Sequence, residues 1–137
     1  MAIKHVFVYG TLKEGMANHD RFCGDALTIE PAFTNGRLYH LPYGFPAMFD
    51  APDGQVFGEV MTFPDIKKTL ERLDSLEGYR PGDNQNHYIR VGKAVTILNS
   101  RKTVRAWVYV YPKSRLRLDF TPIATGNWLK NADAMKR

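Results

Sequence analysis

Short apolar runs, each closed by turn-forming residues, divide most of this chain into predicted strands. They cover residues 5–9, 27–33, 36–41, 47–49, 56–63, 87–98 and 103–111. The turn-rich segment 50–54 predicts that residues 47–49 and 56–63 pair as a hairpin. Gly58 predicts a bulge or sharp bend in the second of these strands. Because a regular βαβ alternation is absent, the pattern indicates a closed or nearly closed α+β barrel rather than a doubly wound sheet.

One segment has the apolar spacing of an amphipathic helix. Ile66, Leu70 and Leu73 recur at offsets of 0, +4 and +7, which predicts one stripe facing the core. Pro64 suits the first helical position, and Gly78 predicts the helix end. A second, short helix is predicted over residues 18–23.

Glu77 occupies the next position on the apolar stripe of this helix. Burial against the core and the negative end of the helix dipole both disfavour an ionised carboxylate, so we expect its pKa to be raised. Such a carboxylate suits general acid–base catalysis near neutral pH. The alternative is that the helix frays at Leu76 and that Glu77 swings into solvent.

The first strand leads abruptly into Gly10. Residues 5–9 are apolar on both faces, which is typical of a central strand. Gly10 permits a sharp turn and the close approach of another molecule, and backbone N–H groups converging at such a turn can bind a carboxylate or oxyanion. An ordinary strand followed by an ordinary glycine turn remains the alternative.

The last strand is also apolar on both faces. Val104, Ala106, Val108 and Val110 share one face, and Trp107, Tyr109 and Tyr111 the other. This strand is therefore not expected at an exposed edge.

Length and composition fit one domain over residues 1–137, with 44% hydrophobic and 24% charged residues. No apolar run approaches the roughly 20 residues that cross a bilayer, so no membrane association is predicted. The first residues lack the apolar stretch of a secretory signal. Cys23 is the single cysteine, which favours a reducing compartment, and we expect a cytoplasmic location.

The net charge of +5 is spread along the chain rather than gathered in one basic block. We therefore predict no nucleic-acid partner. The alternative is a barrel that binds single strands through three aromatic side chains with neighbouring cations, namely Trp107, Tyr109 and Tyr111 with Arg101, Arg105 and Lys113.

The histidines predict no metal site. His19 lies beside Asp20, but no other His or Cys gives metal-ligand spacing, and His5, His40 and His87 are isolated in sequence. Cys23 has no CxxC partner and is interpreted as a small core residue. We expect no cofactor.

Several of these segments together resemble the γ-glutamylcyclotransferase-like superfamily, which includes the γ-glutamylamine cyclotransferases and the AIG2-like proteins. The resemblance begins with the YGTL sequence at residues 9–12 and centres on LDSLEGY at residues 73–79. It continues through segments 36–39, 45–47, 58–60, 88–91, 106–109 and 126–128, so it covers nearly the whole chain.

The resemblance implies a small mixed β-barrel with flanking helices and a cavity beside the YGTL loop. It places the catalytic glutamate on Glu77. It places substrate binding on Tyr9, Gly10, Thr11, Leu12 and Tyr109, with Tyr111 one strand period from the last of these. The roles of four other charged residues stay open. Glu59 either supports the site or is a surface or structural residue, and Arg37, Arg80 and Arg90 either attract an anionic substrate or form surface ion pairs.

The activity implied is of the lyase or acyltransferase type: a γ-glutamyl amine or amino acid is cyclised to 5-oxoproline, and a free amine is released. The partner expected is thus a small γ-glutamyl molecule, and we expect a monomer. A binding module that kept the barrel and lost turnover is the alternative. The sequence does not identify the leaving amine.

Overall fold

The computed structural model describes residues 3–83, 86 and 88–128. It contains two α-helices and eight strands over these residues. In chain order they are β1 His5–Val8, α1 His19–Cys23, β2 Thr28–Asn35, β3 Arg37–His40, β4 Pro46–Phe49, β5 Gln55–Thr62, α2 Ile66–Glu77, β6 Ile89–Ile97, β7 Thr103–Val110 and β8 Thr121–Pro122. A 3₁₀ turn, Lys113–Arg115, follows β7.

Five strands form a closed barrel in the order β1-β5-β2-β6-β7. Parallel pairing of β1 with β7 closes it, with His5 opposite Ala106, whereas the other barrel pairs are antiparallel. The predicted mixed barrel is therefore confirmed. β7 has a partner on each side, as its two apolar faces predicted.

Side chains on the barrel strands alternate between the two faces of the sheet. They therefore contribute to two core layers, one inside the barrel and one outside it. Phe7, Val60 and Val108 belong to a cluster that draws on all five barrel strands and on neither helix, so it fills the barrel. Val6 and Leu73 belong to a second cluster, where the helices cover the outside of the barrel. The predicted helical stripe thus faces the core.

β4 does not pair with β5, so the predicted hairpin is wrong. β4 pairs with β3 in a separate three-stranded sheet with β8, and β5 pairs with β1 and β2. The β3–β4 turn lies at residues 41–45, where the Leu41 N–H donates to the Phe45 carbonyl at 3.0 Å and Gly44 has φ 93°. Gly44 permits this turn, so segment 50–54 instead connects two sheets.

The start of α2 and the role of Gly58 also differ from prediction. α2 begins at Ile66, and Pro64 precedes the cap residue Asp65, whose side chain accepts a hydrogen bond from the Lys68 N–H. The β2–β5 register runs through Gly58 without a bulge. A Cβ at Gly58 would lie 2.1 Å from the Val8 carbonyl oxygen, so close approach of β1 explains this glycine.

No helix within the described ranges is long and apolar enough to span a membrane.

Replacing Gly58 by alanine is expected to destabilise the protein by about 2–4 kcal/mol, because the new methyl group forces β1 away from β5. Urea unfolding of the variant measures this loss. Gly92→Ala is the matched control, since a Cβ there meets only side-chain atoms of Ile3 and Arg105, which can move. Equal losses in the two variants would contradict the close β1–β5 contact.

Candidate active site

A cavity of about 360 Å³ lies where the loop after β1 meets the C-terminal end of α2. All six residues that the sequence assigned to the site border it: Tyr9, Gly10, Thr11, Leu12, Glu77 and Tyr109. A volume of this size is in the usual range for a small-molecule site. The fold therefore brings together segments that are separated by up to about 100 residues in sequence.

Glu77 is the last residue of α2, and a C-terminal cap directly follows it. Gly78 adopts the left-handed conformation with φ 68°, and the Tyr79 N–H donates to the Asp74 carbonyl at 2.9 Å. The alternative in which the helix frays at Leu76 is therefore wrong.

Burial sets the acidity of Glu77. Desolvation raises the pKa of its carboxyl group from 4.5 to about 7. Within the described residues, no group donates a hydrogen bond to this carboxylate and no cation pairs with it. A proton acceptor near neutral pH thus borders the cavity with no partner among the residues that the structure describes.

An ion-paired network holds the helix turn that carries Glu77. Arg90 Nη1 donates to both carboxylate oxygens of Asp74 at 3.1 and 2.9 Å, and the Tyr109 hydroxyl donates to Asp74 Oδ1 at 2.6 Å. The Arg90 guanidinium also lies 4.8 Å from the ring centre of Trp107. Because Asp74 lies one turn before Glu77, the network ties the end of α2 to β6 and β7.

The loop at residues 9–12 is fixed through its oxygen atoms. The Asn18 N–H and side-chain amide donate to the Thr11 carbonyl and hydroxyl, each at 2.9 Å, and His19 Nδ1 donates to the Leu12 carbonyl at 2.9 Å. The N–H groups of Gly10, Thr11 and Leu12 donate to no group in the described part of the chain. These three donors are therefore available to a ligand.

Gly10 is explained by packing rather than by an unusual backbone angle. It has no positive φ, so the turn after β1 does not require glycine for its backbone angles. A Cβ at this position would instead lie 2.7 Å from Pro46 Cγ, and Pro46 also borders the cavity. The glycine thus lets two cavity walls approach each other.

Three tyrosine hydroxyls at the cavity are bound within the protein. The Tyr9 hydroxyl donates to the Tyr109 carbonyl at 2.7 Å and accepts from the Met48 N–H at 3.2 Å. The Tyr88 hydroxyl donates to the Pro46 carbonyl at 2.9 Å, and Tyr109 is bound to Asp74. Burial raises the pKa of all three tyrosines. They are neutral walls of the cavity, not proton acceptors.

The sequence did not assign several residues that border the cavity, namely Asn18, Phe45, Pro46, Tyr88 and Tyr111. Tyr111 shares the strand face of Tyr109, and that alternation was the available signal. The aromatic and proline residues of segment 42–46 indicated a packed loop. The predicted hairpin of residues 47–49 and 56–63, which is wrong, placed this segment beside the wrong strand.

The unassigned charged residues have structural partners. Glu59 accepts a hydrogen bond from the Glu14 N–H at 2.7 Å, and Arg37 forms an exposed ion pair with Asp53 at 2.6 Å. Arg80 contacts the Asn86 side chain through its backbone. Arg90 alone among them acts on the helix that carries Glu77.

No group of three or more His, Cys, Asp or Glu side chains that could hold a metal occurs within residues 3–83, 86 and 88–128. His87 lies outside these residues. Cys23 is fully buried, and burial raises the pKa of its thiol to about 12, which confirms its interpretation as a core residue.

The three aromatic residues considered for nucleic-acid binding do not form an exposed stack. Tyr109 and Tyr111 are buried, and Trp107 packs under Arg90. Stacking of bases requires open ring faces, which the two tyrosines lack.

Comparison with known proteins gives the fold and the family. A chain of YkqA from Bacillus subtilis, known from a crystal structure, has the same fold, with a TM-score of 0.70, 24% identity and coverage of 98% of this chain and 43% of that one. A Methanocaldococcus jannaschii protein named "putative gamma-glutamylcyclotransferase" is 32% identical over 113 residues, which is 82% of this chain and 88% of that protein.

A further relative is the γ-L-glutamyl-butirosin B γ-glutamyl cyclotransferase of Niallia circulans, which is 35% identical over 78% of this chain and 66% of its own length. The family described as "Gamma-glutamyl cyclotransferase, AIG2-like" matches residues 6–130. With that match over most of its length, the chain belongs to the AIG2-like γ-glutamyl cyclotransferase family.

Proposed function

We propose that this enzyme cyclises a γ-glutamyl amide to 5-oxoproline and releases the free amine, with Glu77 as the general acid–base group. The observation that carries the proposal is the partly buried Glu77 carboxylate, with a pKa of about 7, in the cavity that the 9–12 loop borders. Membership of a cyclotransferase family favours turnover over a module that only binds.

The substrate carries its own nucleophile. Its α-amino group is protonated at neutral pH and cannot attack the γ-carbonyl until a base removes that proton. Glu77 accepts the proton, the amine nitrogen bonds to the γ-carbon, and the bond to the leaving nitrogen breaks. Glu77 returns this proton to the leaving nitrogen and relays to it the second proton that the ring nitrogen loses, so the amine leaves as an ammonium ion and no water is consumed.

The loop at residues 9–12 recognises negative charge on the substrate. The N–H groups of Gly10, Thr11 and Leu12, which donate to no described residue, can bind the substrate α-carboxylate or the oxygen on which negative charge develops. A rigid loop also holds the flexible glutamyl chain folded for ring closure, which lowers the entropic part of the barrier. The buried tyrosine rings keep the cavity apolar around Glu77.

Replacing Glu77 by glutamine is expected to lower turnover by about two to four orders of magnitude, because the amide cannot accept the proton. Release of 5-oxoproline from a γ-glutamyl amide measures this effect, and substrate affinity should change much less. Glu71→Gln is the matched control, since Glu71 is exposed on the same helix. A folded Glu77→Gln enzyme that keeps most of its rate would exclude this residue as the base.

The pH dependence of activity should show the same group. Because Glu77 acts in its ionised form and its pKa is about 7, kcat/KM should fall as the pH decreases through about 7. The acidic limb measured from pH 5 to 9 would contradict the proposal if its midpoint lay near 4.5.

The raised pKa also affects stability. The folded state favours protonated Glu77. The contribution of this protonation to the free energy of unfolding is fully present below pH 4.5 and is lost as the pH rises through about 7. Glu77→Gln should therefore be more stable than wild type at pH 8, by about 1–3 kcal/mol, and nearly equal to it at pH 4.5. Denaturant unfolding at both pH values checks the difference.

Gly10→Val should leave a folded protein that binds γ-glutamyl ligands poorly, because the new side chain collides with Pro46 and displaces the loop. Calorimetry with a non-reactive γ-glutamyl analogue measures the affinity. Adding Pro46→Ala makes room for the side chain, and the double variant should recover part of the binding. Unchanged affinity in Gly10→Val would remove the loop from the site.

A further inference from the structure

A second concavity adjoins the candidate active-site cavity on the side that follows β7. We call it the outer groove; it has a volume of about 580 Å³ and is bordered by Tyr43, residues 114–117 and Phe120. Phe45 and Tyr111 border both the outer groove and the cavity that contains Glu77. The cavity and the outer groove therefore adjoin at these two residues.

A row of aromatic rings runs from the cavity along the outer groove. The ring centres of Tyr88 and Tyr111 are 4.9 Å apart, and those of Tyr111 and Phe120 are 6.0 Å apart. Tyr43 continues the row at 6.5 Å from Phe120. Tyr43 is 57% exposed and Leu116 is 50% exposed, so the outer end offers apolar surface to a ligand.

The groove is positively charged. Arg115 and Arg117 border it, and none of the described residues that border it is acidic. Arg117 pairs with Asp119 at 3.3 Å, but both side chains are more than half exposed, so this pair is weak. The charge of Arg115 acts on Tyr111, where it opposes the rise in pKa caused by burial. A carboxylate on a ligand would thus meet cations near an apolar wall.

We propose that the outer groove binds the leaving amine and selects amines that carry both a large apolar side chain and a carboxylate. The substrates would then be γ-glutamyl amides of large apolar amino acids rather than of polyamines. This inference rests on the proposed function, since a γ-carbonyl placed near Glu77 leaves the leaving group at the boundary that the two spaces share.

Four γ-glutamyl amides test the groove by kcat/KM for 5-oxoproline release. Their leaving amines are methylamine, phenylalanine, phenethylamine and putrescine. Methylamine is too small to fill the groove. Phenethylamine has the ring of phenylalanine without the carboxylate, and putrescine adds a cation. Phenylalanine should be preferred over phenethylamine by about five- to tenfold, and putrescine should be the poorest of the three larger amines.

Two variants separate the contributions of charge and apolar contact. Arg117→Gln should reduce the preference for phenylalanine over phenethylamine toward one, through a higher KM for the phenylalanine compound. Tyr43→Ser should lower kcat/KM for both aromatic amides by similar factors. Arg37→Gln is the matched control, because Arg37 also forms an exposed pair with an aspartate but borders neither space, and it should leave all four values unchanged.

The outcomes distinguish this inference from the proposed function. Turnover of the methylamide with equal or reversed preference among the larger amines would overturn the groove alone. A preference for phenylalanine that survives in Arg117→Gln would overturn the role of Arg117. Absence of turnover with every γ-glutamyl amide would overturn the proposed function and the groove with it.

Discussion

The site depends on a partly buried carboxylate that has no compensating cation among the described residues. Burial of Glu77 raises its pKa to about 7 and disfavours its ionised form in the folded state. Such a position is stable only if neighbouring contacts hold the side chain in place. The left-handed Gly78 and the Asp74 network supply those contacts at the same helix end. The hydrogen bonds that Asp74 accepts thus stabilise the helix end that carries Glu77, although the Glu77 carboxylate accepts none from the described residues.

Closure of the barrel explains how the remaining parts reach Glu77. The parallel β1–β7 pair places the loop after β1 beside the end of β7. The Tyr9 hydroxyl then joins these two strand ends to β4 through the Tyr109 carbonyl and the Met48 N–H. Because α2 packs on the outside of β1 and β7, its last residue faces the same opening. The position of the cavity is therefore a consequence of strand order.

Local patterns in the sequence predicted the elements better than their pairing. The two-faced strand at residues 103–111 and the stripe that ends at Glu77 were correct, because apolar periodicity reports directly which face is buried. Segment 50–54 suggested a hairpin that does not form, since turn residues indicate a change of direction and not which strand pairs with which. The same limit applies to Pro46 and Tyr88, whose places at the cavity depend on the second sheet and on contacts across more than 40 residues.

The central claim is that ring closure occurs within the substrate and consumes no water. The most direct test is product analysis by mass spectrometry after turnover of a γ-glutamyl amide in water enriched with ¹⁸O. The account predicts unlabelled 5-oxoproline in equal amount to the released amine. Glutamate carrying ¹⁸O, formed at the same rate as the amine, would show hydrolysis by an activated water and would contradict the account.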